Sequence, residues 1–232
     1  MSDVVVRCSG VTRTYQDNAV PVVALQGIDF VVERGEFVSL AGPSGSGKTT
    51  LLNLIGGLDR PDSGTVEVDG VMLNDLSESA LSDLRLHKMG FVFQSYNLIP
   101  VLSAQENVEF IMQLQGVAAE ERRARASALL KDLGLASMAE RRPGELSGGQ
   151  QQRAAVARAI VTEPVLLLAD EPSANLDSAT TRELLELLRS LNERRGVTII
   201  TATHDPMVMG YAKRQINLRD GAIVEDKTSQ AA

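Results

Sequence analysis

The chain is poor in cysteine, in aromatic residues and in long apolar runs. Cys8 is the only cysteine among 232 residues, which excludes a disulfide within the chain and argues against a structural zinc site. Aromatic residues make up 3% of the chain and hydrophobic residues 44%, so leucine, valine and isoleucine must fill the core. No apolar run approaches the roughly 18 residues that span a bilayer. We therefore expect a soluble intracellular protein whose contact with any membrane comes through a partner.

Positive charge is also in deficit. The chain has 23 Lys and Arg against 30 Asp and Glu, a formal net charge of −7, whereas nucleic-acid-binding proteins usually carry a basic excess. Nucleic acid is therefore not an expected partner. A nucleotide remains a possible ligand, because a few backbone amides and one lysine can hold a phosphate. The basic runs at 122–125 and 141–142 are mixed with glutamates, and we interpret them as solvated faces.

Most of the chain alternates between strand-like and helix-like segments. β-Branched and aromatic runs bounded by turn residues predict strands at 4–6, 22–25, 28–32, 37–41, 65–68, 90–93, 165–169, 197–202, 214–218 and 222–224. Helical patterns are found at 49–55, 77–87, 103–115, 119–133, 147–162 and 180–195. The helices between 103 and about 160 have no strands among them. This pattern predicts a helical lobe inserted into an α/β body whose parallel sheet is covered on both faces.

A glycine-rich loop separates the strand at 37–41 from the helix at 49–55. Residues 42–49 read Gly-Pro-Ser-Gly-Ser-Gly-Lys-Thr and match G-x-x-x-x-G-K-[ST] at every specified position. The glycines let backbone N–H groups turn towards phosphate oxygens, and the helix start adds further free amides. Lys48 is expected to reach the β- and γ-phosphates, and Thr49 to bind Mg²⁺. The predicted nucleotide-binding residues here are Gly42, Ser44, Gly45, Ser46, Gly47, Lys48, Thr49 and Thr50.

Two carboxylates and a histidine follow other predicted strands. Asp170 and Glu171 come directly after the apolar strand at 165–169, and His204 follows the strand at 197–202. Because the carboxyl ends of parallel strands share one edge of a sheet, we expect all three residues to converge on the nucleotide. Asp170 is placed to bind Mg²⁺, and Glu171 to polarise or orient an attacking water. His204 is expected to contact the γ-phosphate or that water.

A second glycine-rich helix start lies at 147–150. Ser147 and Gln150 have the spacing of a capping box. Capping alone does not call for the two adjacent glycines, Gly148 and Gly149, which leave backbone amides open to an anion. The chain thus offers two phosphate-binding faces. If these faces cannot meet within one chain, two copies packed head to tail would each complete the other's site.

The order of these motifs resembles that of the nucleotide-binding subunit of ABC transporters over nearly the whole chain. The shared motifs are, in sequence, the phosphate loop, Gln94, the Leu-Ser-Gly-Gly-Gln segment at 146–150, Asp170 and Glu171, the 173–177 segment, and His204. The resemblance implies an ATPase with ATP and Mg²⁺ as cofactors. It also implies an α/β fold, in which a P-loop NTPase core (1–102 and 163–232) carries an N-terminal antiparallel β subdomain, and an α-helical signature subdomain (103–162) is inserted.

Roles for further residues also follow from the resemblance. Gln94 would lie near Mg²⁺ and the attacking water, with catalytic and metal-binding roles. Tyr15 would stack on adenine, a contact that aromatic rings make with any base. The residues expected to act on the ATP of the partner subunit are Ser147, Gly148, Gly149 and Gln150. Asn175 and Asp177 would belong to the loop that links the two sites.

Two segments narrow the resemblance to a bacterial subgroup. Residues 90–100 and 169–177 look most like the ATPases of lipoprotein-releasing, macrolide-export and related peptide-efflux transporters. The chain departs from the expected Pro-Thr-Gly-Asn by reading Pro-Ser-Ala-Asn at 172–175, which removes a glycine and stiffens that loop. The implied partners are an integral membrane permease and a second copy of the chain. The implied location is cytoplasmic, on the inner face of the cell membrane.

Other functions remain open at this point. An ATP-gated signalling module that moves no cargo would need the same catalytic residues. A nucleic-acid or translation ATPase is disfavoured because such proteins carry two cassettes in one chain or a long coiled-coil insertion, and this sequence shows neither. A GTPase is disfavoured because no Asn-Lys-x-Asp segment occurs.

The segment after Gln94 is unusually apolar for a loop. We expect it to line a groove that receives a short cytoplasmic helix of the membrane subunit. The alternative is that its side chains fold back into the helical lobe. The residues concerned are Tyr96, Leu98, Ile99, Pro100, Val101 and Leu102.

Overall fold

The computed structural model describes residues 3–17 and 20–228, and these residues form two β-sheets. The first sheet is antiparallel and consists of β1 (Val4–Asp17), β2 (Val20–Glu33), β4 (Ser63–Val68) and β5 (Val71–Met72). These strands stand in the order β2-β1-β4-β5. This sheet is the predicted N-terminal antiparallel β subdomain.

The second sheet carries the strands that precede the candidate site. Its members are β3 (Phe37–Ala41), β6 (Met89–Val92), β7 (Leu166–Asp170), β8 (Thr198–Thr203), β9 (Arg214–Arg219) and β10 (Ala222–Thr228). They stand in the order β10-β9-β3-β8-β7-β6. Neighbouring strands are parallel except for the β9–β10 pair, which is antiparallel.

Helices connect and cover the strands. They are α1 (Lys48–Ile55), α2 (Glu78–Lys88), α3 (Ala104–Leu114), α4 (Ala119–Asp132), α5 (Gly148–Ile160), α6 (Ser178–Arg195) and α7 (Pro206–Tyr211), with short 3₁₀ turns at Ala136–Met138 and Pro143–Glu145. Local sequence explains several boundaries. Ser103 and Glu106 form a capping box at the start of α3, and Gly196 ends α6 in the left-handed conformation, with φ 65°.

The central strands of the six-stranded sheet, β3, β8 and β7, are buried on both faces. Because successive side chains of a strand point to opposite faces, neighbouring residues join different clusters of the core. Leu166 and Leu168 pack with α1 and the first sheet. Leu167 and Ala169 pack instead with the cluster that contains residues of α3, α4, α5 and α6. A parallel sheet covered on both faces is therefore confirmed for this part of the chain.

Some predicted elements were wrong. The predicted strands at 22–25 and 28–32 form a single strand, β2, and the short strand at 4–6 extends to Asp17. Gly27, which lies between the two predicted strands, has φ 67° and lies within a register shift of the β1–β2 pairing. The glycine therefore makes a bulge, and cross-strand hydrogen bonds continue on both sides of it. Two short elements, β5 and α7, were not predicted.

The helices were also searched for a membrane span. Within residues 3–17 and 20–228, none combines the length and the hydropathy needed to cross a bilayer.

Candidate active site

Three neighbouring parallel strands end at the same edge of the second sheet. β3 and β8 are paired so that Ala41 lies opposite Thr203, and β7 and β8 so that Asp170 lies opposite Ala202. The phosphate loop leaves β3, Glu171 follows β7 and His204 follows β8. The structure therefore brings the three predicted strand ends together.

A cleft of about 650 Å³ opens at this edge. Strands β1 and β2 of the first sheet line it, together with the start of α1 and the loops that follow β3, β6, β7 and β8. Ten of the residues predicted for the site are among those that line it: Tyr15, Ser44, Gly45, Gly47, Lys48, Thr49, Thr50, Gln94, Glu171 and His204.

The phosphate loop needs its glycines for backbone shape. Gly47 is the N-cap of α1 and has φ 101° and ψ 2°, a conformation that residues with a Cβ rarely adopt. A Cβ at Gly47 would also lie 2.5 Å from the carbonyl oxygen of Ala24. At Gly42, whose φ is 149°, a Cβ would collide with the carbonyl oxygen of Leu218. Glycine at both positions thus keeps the loop closed against β2 and β9.

Lys48 is buried inside the loop. Its Nζ donates to the carbonyl oxygens of Gly42 at 2.8 Å and Pro43 at 2.9 Å. Ser46 is also buried, and its hydroxyl has no hydrogen-bond partner among the described residues. The loop thus holds an ammonium group whose present partners are neutral carbonyls. A phosphate would offer it charge-assisted hydrogen bonds, which are roughly twice as strong as neutral ones.

Asp170 lies directly beside the phosphate loop. The hydroxyl of Thr49 donates to Oδ1 of Asp170 at 3.1 Å. Burial raises the pKa of the Asp170 carboxyl above its ordinary value of 3.8, and the charge of Glu171 raises it further, while the Thr49 hydrogen bond and Lys48 act in the opposite direction. A bound cation would offset this cost of burial. Hydroxyl and carboxylate oxygens are ligands suited to Mg²⁺, so this donor set fits the predicted metal.

Glu171 is held in an unusual backbone conformation with both carboxylate oxygens engaged. Its φ is 45°, in the left-handed region. Nδ1 of His204 lies 2.7 Å from Oε1, and the Thr203 hydroxyl donates to Oε2 at 3.3 Å. Strained backbone of this kind is concentrated at functional sites. The arrangement fixes the carboxylate at the cleft wall, where it can orient a water molecule.

The second glycine-rich helix start lies elsewhere. Ser147 and Gln150 form the predicted capping box, and neither is among the residues that line the cleft. Gly149 is buried, and a Cβ there would collide with Cγ2 of Thr180. Gly149 is thus also needed for close packing between α5 and α6. Asp177 is the N-cap of α6, the helix that Gly149 approaches at Thr180. Its carboxylate accepts from the N–H groups of Ala179 and Thr180.

Comparison with known proteins decides the family. The model of the ABC transporter family matches residues 25–174. The chain belongs to this family. The predicted resemblance is therefore confirmed, and the chain is an ABC-type ATPase with the α/β fold expected of it.

Several relatives of this ABC ATPase are closely similar. The macrolide export ATP-binding/permease protein MacB of Syntrophobacter fumaroxidans is 49% identical over 92% of the chain, although the chain spans only 30% of that protein. The ABC transporter ATP-binding protein MJ0796 of Methanocaldococcus jannaschii is 44% identical, and the match covers 96% of both proteins. The lipoprotein-releasing system ATP-binding protein LolD of Chromohalobacter salexigens is 41% identical over 97% of the chain and 95% of its own length. The predicted resemblance to the lipoprotein-releasing and macrolide-export ATPases is confirmed.

Solved structures agree with this assignment. The dimeric post-hydrolysis structure of MJ0796 bound to ADP and Pi superimposes with a TM-score of 0.91 at 43% identity. The match covers 98% of this chain and 100% of that one. A second dimeric structure of MJ0796 also gives a TM-score of 0.91.

The structure of this ABC ATPase contains an apolar groove, but the apolar residues predicted to line a groove lie outside it. An apolar groove of about 630 Å³ is lined by residues that include Leu58, Leu86, Phe91, Ile111 and Leu114. None of the six predicted apolar residues between Tyr96 and Leu102 is among those that line it.

The physical reason is a set of hydrogen bonds to α3. The Asn107 side chain accepts from the Ile99 N–H at 2.7 Å and donates to the carbonyl oxygens of Ile99 and Leu102 at 3.1 Å. These bonds fold the segment onto the helical lobe, where Leu98 packs against the core.

Four residues of the cleft escaped sequence reasoning: Val22, Ala24, Pro43 and Ala174. Val22 lies in the cleft because it pairs with Tyr15 across β1 and β2. Such pairing depends on strand register, which no local pattern in the sequence indicates. Pro43 and Ala174 lie within predicted motifs but at positions without a reactive group, and Ala24 lies in no motif.

Proposed function

We propose that the chain is the ATP-hydrolysing subunit of an export or lipoprotein-, peptide- or drug-translocating ABC transporter. Two copies dimerise head to tail around two ATP molecules and drive a separate membrane subunit. The observation that carries this proposal is the cleft, where Lys48, the Asp170–Thr49 pair and the Glu171–His204 pair lie together. Hydrolysis of ATP needs a phosphate-binding cation, a metal site and a group that orients water, and this cleft has residues suited to each.

ATP binding begins at the phosphate loop in this proposal. Lys48 exchanges its bonds to the Gly42 and Pro43 carbonyls for stronger bonds to phosphate oxygens. The first amides of α1 point at the same phosphates, because α1 has no side-chain cap among the described residues. Tyr15 supplies the opposite wall of the cleft, where the base stacks.

Metal binding and hydrolysis use the strand ends. Mg²⁺, when bound, neutralises charge on the phosphates, and Thr49, Asp170 and Gln94 are the residues that would hold it. Glu171 orients the attacking water, and His204 keeps that carboxylate in place through the 2.7 Å contact with Oε1. His204 is largely exposed, so its other ring nitrogen remains accessible to the γ-phosphate.

The second helix start supports the dimer. Ser147 is exposed and lies outside the cleft, so its role in binding ATP requires a second copy of the chain. By this proposal, Ser147, Gly148, Gly149 and Gln150 of one subunit contact the γ-phosphate held by the other, and Asp177 lies in the loop between the sites. The helical segment 103–162 acts as the subdomain that presents this signature.

Light scattering on a hydrolysis-deficient variant tests the dimer. Glu171→Gln keeps the cleft but slows hydrolysis about 10²- to 10⁴-fold, because it removes the general base. ATP should double the mass of this variant and ADP should not, since only ATP supplies the γ-phosphate. Adding Ser147→Arg should keep the mass monomeric.

The control for Ser147→Arg is Ser77→Arg. Ser77 is the N-cap of α2 and likewise accepts a hydrogen bond from a backbone N–H of its own helix. It lies outside the proposed interface, so the Glu171→Gln/Ser77→Arg protein should still dimerise with ATP. An equal mass with ATP and with ADP in the Glu171→Gln protein would contradict the head-to-tail dimer.

The apolar groove is the proposed contact with the permease. Leu58 and Leu114, which line it, are 48% and 56% exposed, and an exposed apolar groove suits a short amphipathic helix. Such a contact would hold the chain at the cytoplasmic face of the membrane. Leu114→Asp should abolish co-purification with the membrane subunit. Val101→Asp should not, because Val101 is 73% exposed but is not among the groove residues. The reverse result would place the contact on the segment after Gln94.

A further inference from the structure

Tyr15 is bound to a residue outside all the nucleotide-binding motifs. Its hydroxyl donates to Oδ2 of Asp59 at 2.7 Å. Asp59 lies in the loop between α1 and β4, 44 residues away along the chain. The aromatic ring at the cleft wall is therefore oriented by a side chain that the motifs do not include.

Arg13 holds the same carboxylate at two points. Its Nε donates to Oδ2 of Asp59 at 3.0 Å and its Nη2 to Oδ1 at 2.9 Å. The guanidinium carbon also lies over the ring of Tyr15, 4.7 Å from the centroid. The ring face that Arg13 covers cannot also accept a base. Arg13 and Asp59 together thus fix the tilt of the ring and leave one face for stacking.

Backbone contacts join this cluster to the helix of the phosphate loop. The N–H groups of Leu58 and Asp59 both donate to the carbonyl oxygen of Asn53, at 2.8 and 3.3 Å. Asn53 is part of α1, which begins at Lys48. Asp59 therefore connects the C-terminal end of α1 with the ring of Tyr15 on β1.

Asp62 strengthens the same connection. The Thr14 N–H donates to Oδ2 of Asp62 at 2.6 Å, and Nη1 of Arg13 donates to Oδ1 at 2.8 Å. These two bonds hold the pKa of the Asp62 carboxyl below its ordinary value. Asp62 is therefore charged at neutral pH, and Arg13 stays fixed between two carboxylates.

We propose that Asp59 is a positioning residue that orients the ring of Tyr15 as the stacking platform for the base and sets its place relative to the phosphate loop. This rests on the proposed function, in which ATP occupies the cleft. The platform belongs to the first sheet and the phosphate loop to the second, so the span between them has to match one nucleotide. The Arg13–Asp59 pair is suited to this task because the two side chains are only 22% and 25% exposed and their geometry is bidentate.

The test compares ATP with inorganic tripolyphosphate, which has phosphates but no base. Calorimetry should show that Tyr15→Phe and Asp59→Ala each weaken ATP binding about fivefold, the effect expected from one lost hydrogen bond. Binding of tripolyphosphate should stay within about twofold of wild type. Because both changes break the same bond, the double variant should bind ATP no more weakly than Asp59→Ala alone.

A matched control lies at the end of α7, outside the cleft. The Tyr211 hydroxyl donates to Glu186 at 3.0 Å, and Arg189 lies over the Tyr211 ring at 5.7 Å. Tyr211 has the same kind of neighbours but is not a residue of the cleft. Tyr211→Phe should therefore leave ATP affinity unchanged.

Four results would overturn the positioning role. They are unchanged ATP binding by Tyr15→Phe, equal weakening of ATP and tripolyphosphate, additive effects in the double variant, or an equal loss in the Tyr211 control. A wild-type protein that bound neither ATP nor tripolyphosphate would refute the proposed function itself, and this inference with it.

Discussion

The two glycine-rich helix starts, before α1 and before α5, are built in opposite ways. Gly47 caps α1 in a left-handed conformation with φ 101° and provides no side-chain hydrogen bond. Ser147 caps α5 in an extended conformation, and its hydroxyl accepts from the Gln150 N–H. The side-chain oxygen of Gln150 in turn accepts from the Ser147 N–H. The first start leaves its amides open towards the chain's own cleft. The second has two of its polar groups paired with each other in the capping box, and it lies outside that cleft.

The glycines of the two starts also serve different needs. In the phosphate loop Gly42, Gly45 and Gly47 all have positive φ, so the backbone path requires them. Gly149 has no such requirement and instead makes room for Thr180 of α6. The same residue type therefore shapes a ligand-binding backbone in one place and permits close helix packing in the other. A glycine-rich motif alone does not distinguish these uses.

The largest expected effect is on ATP binding, and it distinguishes the helix start before α1 from the one before α5. Lys48→Ala should weaken ATP binding by about 100-fold, because it removes charge-assisted bonds to phosphate. Ser147→Arg should leave ATP binding by the monomer within about twofold of wild type, yet reduce steady-state hydrolysis about 100-fold by blocking the dimer. Equilibrium binding at dilute protein and phosphate release at high protein measure the two quantities. A large loss of monomer binding in Ser147→Arg would show that both starts act within one chain.

A smaller effect tests the packing role of Gly149. Gly149→Ala should lower the free energy of unfolding by about 1 kcal/mol, because the added methyl group overlaps Cγ2 of Thr180. Thr180→Ser removes that methyl group but keeps the hydroxyl that donates to Asp177 at 2.8 Å. Adding Gly149→Ala to Thr180→Ser should therefore cost little.

The control for this cycle is Gly144→Ala. A Cβ at Gly144 would meet nothing within 4 Å. The free energy of unfolding of the Gly144→Ala protein, measured in urea, should therefore equal that of wild type. If Gly149→Ala were equally harmless, the close approach of α5 and α6 would not require a glycine.

The smallest effect concerns the acidic residues beside the two starts, whose pKa values shift in opposite directions. Burial raises the folded-state pKa of Asp170 above 3.8, so its ionisation costs stability above that folded-state pKa, and the cost disappears below pH 3.8. Hydrogen bonds from Thr180 lower the folded-state pKa of Asp177 below 3.8, so its contribution is complete above pH 3.8 and is lost as pH falls through the folded-state pKa.

These shifts predict opposite outcomes for two matched substitutions. At pH 7, without nucleotide or Mg²⁺, Asp170→Asn should raise Tm by roughly 1–2 °C, a figure kept small because Asp170 is partly solvated. Asp177→Asn should lower Tm, because the neutral amide caps α6 less strongly than the carboxylate. The Tm difference of Asp170→Asn should shrink as pH falls from the folded-state pKa of Asp170 towards 3.8. The Tm difference of Asp177→Asn should shrink only as pH falls below 3.8. Equal signs at pH 7 would contradict the electrostatic distinction between the two sites.

The candidate site was predictable where function depends on consecutive residues. The loop from Gly42 to Thr50, the pair Asp170–Glu171 and the capping box at Ser147 are local patterns, and the structure reproduces their strand, loop and helix setting. The convergence of three strand ends also followed from the sequence. It needs only the alternation of strands and helices, since parallel strands place their carboxyl ends on one edge.

Prediction failed where the outcome depended on packing between distant segments. The residues between Tyr96 and Leu102 are apolar enough to suggest an exposed groove, but the hydrogen bonds of Asn107 fold them onto α3. The actual groove is lined by residues from α2, β6, α3 and α5. No local periodicity brings those elements together.

The sequence by itself therefore determined the family, the phosphate loop and the order of the catalytic motifs. Each of these is written in contiguous residues whose chemistry and backbone preferences act locally. Only the tertiary structure decided that Tyr15 faces Val22, that Asp59 and Arg13 fix its ring, and that Gly149 meets Thr180. These contacts join segments more than 20 residues apart or lie across strand pairs. They depend on register and on close packing of the core, which are properties of the whole fold.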